Sequence, residues 1–362
     1  MAKGKARPKR IADYLFPPFL RFPVSPFLPS PEGLGSLRFL SSRWLKAGIS
    51  LGFLAIVLRL ANLRLLLEQI LAARLDLFLL ALAGYLVSQV LSAYKWQMLA
   101  RPLGFNQPLP AFTVYYFVGM YLNLFAPSTV LGDLARGLLL TGSGGGVGAA
   151  LQSVIVDRVS GMAMLLWVSA VGFLLFGPTV LPAVLCYGTI AAAGLMVVGW
   201  WALPYVVTWL GSPRHRLRQF IERAFAPYRA QGSGVLGRAC SLAFGFHFFQ
   251  LTLQVLLAHA LGLSVPFWYL MLFIPLVHTL SALPLSFGGA GVREGSYVVF
   301  LALIGIGKNE AVAFGLLWTA LVFGSGLIGG LVLLISPATR LALKHSAVSR
   351  QRSAGIVQSN EG

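Results

Sequence analysis

Charged side chains that could bind an anion lie inside or beside strongly apolar stretches of this chain. Only ten Asp and Glu residues occur among its 362 residues. Four of these acids stand close to a basic residue in such stretches: Asp133 with Arg136, Asp157 with Arg158, Arg293 with Glu294, and Lys308 with Glu310. A charge near the middle of a bilayer costs about 2.5–3.5 kcal/mol on insertion scales, so it usually marks a pathway or a binding site. The pattern therefore indicates a functional site inside a membrane.

Two sequence motifs carry most of these charges and share an order of residue types. The first reads NLFAPSTVLGDLAR from residue 123 to residue 136, and the second reads PLSFGGAGVREG from residue 284 to residue 295. Proline removes a backbone donor and ends a helix, while glycine permits close approach or a positive φ angle. We therefore expect re-entrant backbone at Pro127, Gly132, Pro284, Gly288, Gly289 and Gly291. The helix after each break would offer free N–H groups and a positive dipole end to an anion. The shared order indicates an internal pseudo-repeat.

Arginine is the residue expected to grip a lipid phosphate, because its planar fork donates two parallel hydrogen bonds. We predict that the headgroup binds to three arginines and two polar side chains: Arg136, Arg158 and Arg293, with Asn123 and Ser286. The acids Asp133, Asp157 and Glu294 are expected to neutralise these arginines when no lipid is bound, and they could relay protons. The alternative, that the ion pairs only hold helices together, stays open. Lys308 and Glu310 are interpreted as part of a solvated turn.

The composition predicts an all-α, polytopic integral membrane bundle. The chain is 57% hydrophobic and 10% charged, with a mean hydropathy of +0.79, as is typical of membrane proteins. The net charge of +18 does not indicate nucleic-acid binding, because Lys and Arg concentrate beside apolar runs, in residues 1–46, 214–238 and 340–352. Such clusters face the cytoplasm and attract anionic lipids. Aromatic residues such as Tyr94 and Trp96 are interpreted as belts at the membrane surface.

No residue pattern indicates catalysis or a cofactor. Cys186 and Cys240 lack the spacing of a disulfide framework or a zinc site. His247, His259 and His278 lack the spacing of metal ligands and are interpreted as satisfied core or interface residues. A nucleophilic serine would need a nearby base, and the sequence presents none. We therefore expect no enzymatic activity, no metal and no cofactor.

The order of the apolar runs predicts the domain organisation. Residues 1–36 are basic and proline-rich and are expected to form a disordered cytoplasmic tail. Residues 37–340 form the transmembrane domain, and residues 341–362 form a second cytoplasmic tail. About 8 transmembrane helices with two re-entrant or broken elements are expected, from runs near 44–62, 77–99, 109–126, 153–176, 180–209, 239–262, 266–284, 295–306 and 311–335. Because the basic clusters must all face the cytoplasm, the region 109–140 is expected to enter and leave on one side as a re-entrant hairpin.

The stretches NLFAPSTVLGDLAR, SVIVDRVSGM and LPLSFGGAGVREGSYVVFLALIGI resemble, in content and order, the flippase-like transmembrane domain of lysylphosphatidylglycerol synthetases. That domain also occurs in stand-alone and hopanoid-associated membrane proteins. The resemblance covers about residues 40–340 and implies a helical bundle with two re-entrant elements that moves a lipid between leaflets. The first motif departs from the family, since Thr129, Val130 and Leu131 stand where more glycine is common. The soluble aminoacyl-transferring domain of full synthetases has no counterpart after Arg340, so the chain is not expected to synthesise lysyl-lipid.

These features together predict a multi-pass protein of the bacterial inner membrane, with cytoplasmic termini, that translocates or binds a polar lipid. The expected partner is a phospholipid or an isoprenoid-type lipid, with its phosphate in a midplane cavity and its tails in the bilayer. Two alternatives remain. One is an accessory subunit of a lipid or glycolipid synthesis pathway linked to hopanoids or polyprenyl phosphate, and the other is a membrane-embedded lipid-modifying enzyme. A homo-oligomer, or a complex with a synthase or glycosyltransferase, is compatible with the sequence.

Overall fold

The computed structural model describes residues 63–125, 130–142, 145–177, 181–209, 226–228, 234–282 and 291–336. Within these residues the chain forms helices and no strand, which confirms the predicted all-α membrane bundle. The helices are α1 Leu63–Leu71, α2 Leu75–Ala100, α3 Leu109–Leu124, α4 Val130–Thr141, α5 Val147–Phe176, α6 Ala183–Trp209, α7 Gly234–Ala260, α8 Phe267–Ala282, α9 Val292–Ala302 and α10 Lys308–Ile335. The two predicted tails and the first apolar run, 44–62, lie outside the described residues.

Four helices in the described part of the chain are long and apolar enough to cross a membrane. They are α2, α5, α7 and α10, with 26, 30, 27 and 28 residues, and one 3-10 turn extends α2 to Leu103. Apolar residues are distributed around each of these helices rather than along one face, which is typical of a helix surrounded by lipid and by other helices. Since about 20 residues cross the hydrocarbon core, the chain is a multi-pass membrane protein.

Four other helices are too short to cross the hydrocarbon core alone. α3 and α8 have 16 residues each, α4 has 12 and α9 has 11. At the α-helical rise they extend about 16–24 Å, against about 30 Å for the core. Because α4 follows α3 and α9 follows α8, each half of the chain contains one broken pair of short helices. The apolar run near 295–306 thus corresponds to the short helix α9 rather than to a complete span.

The helices repeat in order and length along the chain. α2, α3, α4 and α5 have 26, 16, 12 and 30 residues, and α7, α8, α9 and α10 have 27, 16, 11 and 28. The first helices of the two halves are antiparallel neighbours. The backbone N–H of Arg74 donates to the Ala260 carbonyl at 2.8 Å, and Gln250 Nε2 donates to Ser88 Oγ at 2.9 Å. The two halves therefore run in opposite directions, which is the arrangement of an inverted repeat.

The two halves are also interlocked. α3 packs on α10, and its counterpart α8 packs on α5, so each broken pair is held by the last long helix of the other half. Glycine makes both crossings close, because a Cβ atom at Gly329 would overlap the Phe117 carbonyl oxygen and one at Gly172 would lie 2.9 Å from Leu272 Cδ2. α4 and α9 pack in addition on the long helix that follows them in sequence. This packing places the charged residues of both motifs inside the bundle.

Candidate functional site

The first half of the bundle holds five charged side chains in contact, which we call the first cluster. They are Lys95 on α2, Asp133 and Arg136 on α4, and Asp157 and Arg158 on α5. The Asp133 carboxylate accepts two hydrogen bonds from Arg158, from Nε at 2.7 Å and from Nη2 at 2.9 Å. An arginine forms the same bidentate pair with a phosphate.

Asp157 neutralises two cations deeper in the first cluster. Its Oδ2 lies 2.9 Å from Arg136 Nη2, and its Oδ1 lies 3.0 Å from Lys95 Nζ. Lys95 Nζ also donates to the backbone carbonyl of Asp157 at 3.0 Å. The side chains of Lys95, Arg136 and Asp157 are only 9%, 3% and 5% exposed. Removing one partner of a buried ion pair typically costs about 3–5 kcal/mol, so these contacts hold the first cluster together.

Aromatic rings enclose Arg136 on two sides. The guanidinium carbon lies 4.9 Å from the ring centroid of Trp96 and 5.0 Å from that of Tyr116, which is within the range of a cation–π interaction. Trp96 is fully buried and donates from Nε1 to Ser153 Oγ at 3.0 Å. The interpretation of Trp96 as part of an aromatic belt is therefore wrong, since this ring packs on a buried cation inside the bundle.

Arg158 is far more exposed than Arg136. Its side chain is 43% exposed, against 3% for Arg136. Arg158 is also the twelfth of the 30 residues of α5, so it lies near the middle of a helix that is long enough to span the membrane. Charged side chains at such depths face the bundle interior or a water-filled cavity rather than lipid tails. Arg158 is thus the more exposed arginine of the first cluster, at a depth where charged side chains face the bundle interior or water.

The second half holds a smaller cluster where α9 begins, which we call the second cluster. Arg293 Nη2 donates to Thr319 Oγ1 at 2.7 Å and lies 3.2 Å from Glu294 Oε1. Thr319 Oγ1 donates to the same Glu294 oxygen at 2.7 Å, and Glu294 Oε2 accepts from the Gly291 N–H at 2.6 Å. Gly291 has a φ angle of 81°, a conformation that favours glycine. The helix start that carries Arg293 therefore depends on glycine at this position.

The two clusters occupy equivalent places in the repeat. Asp133 binds Arg158, 25 positions further along the chain, and Glu294 binds Thr319, also 25 positions further along. Glu294 follows Asp133 by 161 positions, and Thr319 follows Arg158 by 161 positions. Arg158 and Thr319 are each the twelfth residue of their long helix. Both halves thus place an acid and its hydrogen-bond partner at the same distance from the start of the long helix, but the partner is arginine in one half and threonine in the other.

Tyr85 on α2 is a neighbour of both clusters. It is within electrostatic range of both Arg158 and Arg293, so the two arginines approach a common region from opposite halves. His278 on α8 is within range of Arg293 and of His247. One phenol and two imidazoles therefore lie near the arginines of the two clusters.

Two of the three histidines in the described helices make ordinary hydrogen bonds. His247 Nε2 lies 2.9 Å from the Gly161 carbonyl oxygen, and His259 Nδ1 lies 2.8 Å from that of Val255, as expected for satisfied residues. His278 stacks on Trp318 with a centroid separation of 5.5 Å. Its Nε2 atom is buried and has no hydrogen-bond partner among the described residues, so this imidazole is the exception.

Several other predicted site residues have contacts of their own. Asn123 Oδ1 accepts a hydrogen bond from the Gly132 N–H at 2.8 Å and so satisfies one of the free donors where α4 begins. Gly132 lies within α4 rather than in the break, and a Cβ there would overlap the Gly119 carbonyl oxygen. Lys308 and Glu310 form the first turn of α10 rather than a loop. Five predicted residues lie outside the described residues: Pro127, Pro284, Ser286, Gly288 and Gly289.

Two residues of the clusters are missing from the sequence prediction. Lys95 stands between Tyr94 and Trp96, a setting typical of the membrane surface. It is nevertheless the only charged residue in the run 77–99, and that isolation is a signal that could locate it. Thr319 carries no such signal, because its role follows only from its contacts with residues of α9.

An inverted repeat of broken helices with an acid and an arginine in each half defines a class of polytopic membrane protein. Residues 43–330 match the family described as the lysylphosphatidylglycerol synthase TM region, so the chain belongs to this family. The match confirms the resemblance found in the motifs. It also places this membrane-embedded protein in a phospholipid-related family. The search of curated proteins gave no match.

Proposed function

We propose that this protein binds the anionic headgroup of a membrane lipid between its two charge clusters and moves the lipid between the leaflets. The observation that carries the proposal is the state of Arg158. This arginine is paired at mid-helix with Asp133, yet its side chain is 43% exposed. A buried pair with only a structural role would be closed on all sides, as the pair of Arg136 and Asp157 is.

The bidentate contact of Arg158 supports an exchange of anions. Two oxygens of a phosphate can accept the same two parallel hydrogen bonds as the two oxygens of a carboxylate. A phosphate can therefore replace Asp133 as the partner of the Arg158 guanidinium without movement of the arginine. Arg136 Nε lies 3.2 Å from Asp133 Oδ1, so the displaced carboxylate keeps a cationic neighbour. Arg293 would contact the same headgroup from the second half, while the lipid tails stay in the bilayer.

The inverted repeat supplies a way to expose the site to either side of the membrane. Sites at the interface of inverted repeats are opened alternately when one half rocks against the other. Because Arg158 lies on α5 of one half and Arg293 on α9 of the other, a rotation between the halves would shift Arg158 relative to Arg293. We place the protein in the inner membrane with cytoplasmic termini, as its basic clusters favour, and we propose that transport requires no catalysis.

The test is lipid translocation by the purified protein in liposomes. Vesicles would carry a fluorescent phospholipid with an anionic headgroup, and the rate would be compared for wild type, Arg158→Ala, Arg293→Ala and Arg238→Ala. Arg238 is an exposed arginine near the start of α7 whose Nε donates to the Gly234 carbonyl at 3.2 Å, so it serves as the matched control.

We expect Arg158→Ala and Arg293→Ala to slow translocation about 10- to 100-fold, since hydrogen bonds to a charged group contribute about 1.5–3 kcal/mol. Arg238→Ala is expected to behave as wild type. Unchanged rates in folded Arg158→Ala protein would contradict the proposal. Chemical turnover of the labelled lipid would instead favour an enzyme, and transport that requires a co-purified synthase would favour an accessory subunit.

A further inference from the structure

We infer that Lys95 makes the site select headgroups with a net negative charge over zwitterionic headgroups. This inference rests on the proposed function and concerns the specificity of the same site. Lys95 lies on α2, outside both sequence motifs, and joins the first cluster through Asp157 at 3.0 Å. Its contribution is visible only when the charges of the two clusters are counted.

The clusters carry one more positive than negative charge. The first cluster contains three cations and two acids, and the second contains one of each: Lys95, Arg136, Arg158 and Arg293 against Asp133, Asp157 and Glu294. The chain segments that interrupt the two broken pairs, residues 126–129 and 283–290, contain no charged residue. They therefore bring no acid that could cancel the excess.

Lys95 is the source of this excess. Asp133 is matched by Arg158 and Asp157 by Arg136, with oxygen–nitrogen distances of 2.7 and 2.9 Å. Each of these two pairs is neutral, so the ammonium group of Lys95 is the surplus charge of the first cluster. Its side chain is 9% exposed, and charges so far from bulk water are weakly screened.

The surplus charge acts on a headgroup through its field. Lys95 Nζ is held by the carboxylate and the backbone carbonyl of Asp157, both at 3.0 Å, and it is therefore a positioning and charge-setting residue rather than a direct ligand. A headgroup with a single net negative charge would make the loaded site neutral. A zwitterionic headgroup would leave the surplus in place and bring an ammonium group into a positive region.

The experiment compares two labelled lipids that have the same tails, a phosphatidylglycerol and a phosphatidylethanolamine, in vesicles of phosphatidylcholine. The readout is the ratio of their translocation rates for wild type, Lys95→Met and Lys308→Met. Lys308 is an exposed lysine in the first turn of α10, so the same substitution there controls for the loss of a positive charge elsewhere. Thermal stabilisation of wild type by each lipid in detergent provides a second measurement.

We expect wild type to prefer the anionic lipid. Lys95→Met is expected to lower the ratio of the phosphatidylglycerol rate to the phosphatidylethanolamine rate about tenfold, because that is the effect of removing one charge at about 10 Å in a protein interior. Lys308→Met is expected to leave the ratio unchanged. The double variant Lys95→Met/Asp157→Asn removes one charge of each sign from the first cluster, so its ratio is expected to return to the wild-type value.

A purely structural role for Lys95 predicts different results. Both rates would then fall by the same factor, and the double variant would be worse than the single one; either result overturns the inference. Equal stabilisation of wild type by the two lipids also overturns it, even where a variant does not fold. If Arg158→Ala slows transport while Lys95→Met leaves the ratio unchanged, only this inference fails. If Arg158→Ala is as fast as wild type, the proposed function fails, and this inference fails with it.

Discussion

At the scale of single residues, Asp157 joins two buried cations of the first cluster. It lies against Lys95 and Arg136 at 3.0 and 2.9 Å, and its side chain is 5% exposed. Both cations are kept from water, since Arg136 is enclosed by the rings of Trp96 and Tyr116 and the Lys95 side chain is only 9% exposed. Neutralising the acid therefore removes the carboxylate that the two buried cations share.

We predict that Asp157→Asn lowers the free energy of unfolding by about 3–5 kcal/mol, the usual effect of breaking a buried ion pair. The measurement is thermal unfolding of the purified protein in detergent. Asp76→Asn is the matched control, since Asp76 pairs with Arg74 at 2.7 Å but is 62% exposed, and little change is expected. A similar melting temperature for both variants would show that Asp157 does not hold the first cluster together.

At the scale of helices, the contact between α3 and α4 decides where the first acid is placed. Gly119 and Gly132 let the two backbones meet, and Asn123 binds the Gly132 N–H at 2.8 Å. Asp133 follows Gly132 directly, so the position of its carboxylate relative to Arg158 depends on this contact. Close packing of a broken pair thus fixes the geometry of the ion pair.

We predict that Gly132→Ala destabilises the protein by about 1–3 kcal/mol, as expected when an extra atom is forced into a packed interior. The added Cβ would overlap the Gly119 carbonyl oxygen and the Asn123 side chain. Gly188→Ala in α6 is the control, because nothing lies within 4 Å of a Cβ at that position. Thermal unfolding of both variants is the measurement, and equal stability of the two would contradict close contact between α3 and α4.

At the scale of the whole molecule, the inverted repeat makes the start of α5 equivalent to the start of α10. α5 begins at Val147 and its counterpart α10 begins at Lys308. Since the two halves run in opposite directions, these equivalent ends belong on opposite sides of the membrane. The distribution of basic residues favours the cytoplasm for the end near Val147.

We predict that cysteines placed at the two helix starts are labelled from opposite sides. A membrane-impermeant maleimide added to intact cells should react with Lys308→Cys but not with Gly148→Cys, after Cys186 and Cys240 are replaced by serine. Inverted vesicles should give the opposite result. Labelling of both positions from the same side would rule out the inverted repeat, and labelling of Gly148→Cys from outside the cell would also rule out the re-entrant hairpin.

Much of the architecture follows from local properties of the chain. The expected runs near 77–99, 109–126 and 239–262 correspond to α2, α3 and α7, because apolar length and the positions of proline and glycine are enough to locate membrane helices. The two short broken pairs were also foreseeable from the motifs. Gly291 precedes α9 with a positive φ angle of 81°, the backbone freedom for which glycine was expected there.

The pairing of the charges does not follow from local properties. Adjacent residues of a helix point about 100° apart, so Asp157 turns toward Lys95 and Arg136 while Arg158 turns toward Asp133. Neighbours in sequence therefore have different partners in space. For the same reason, no motif could include Lys95, which reaches the first cluster from another helix.

The sequence by itself determined that this protein is a helical membrane bundle, that it belongs to its family, and that a few acids and arginines lie within its apolar interior. Length, composition and helix breaks are properties of short segments, so they can be read without a fold. Only the tertiary structure decided which acid neutralises which cation, that Arg158 is exposed while Arg136 is enclosed, and that Lys95 leaves a surplus charge. These facts depend on how helices rotate and cross, because an ion pair forms between side chains that packing brings within about 4 Å.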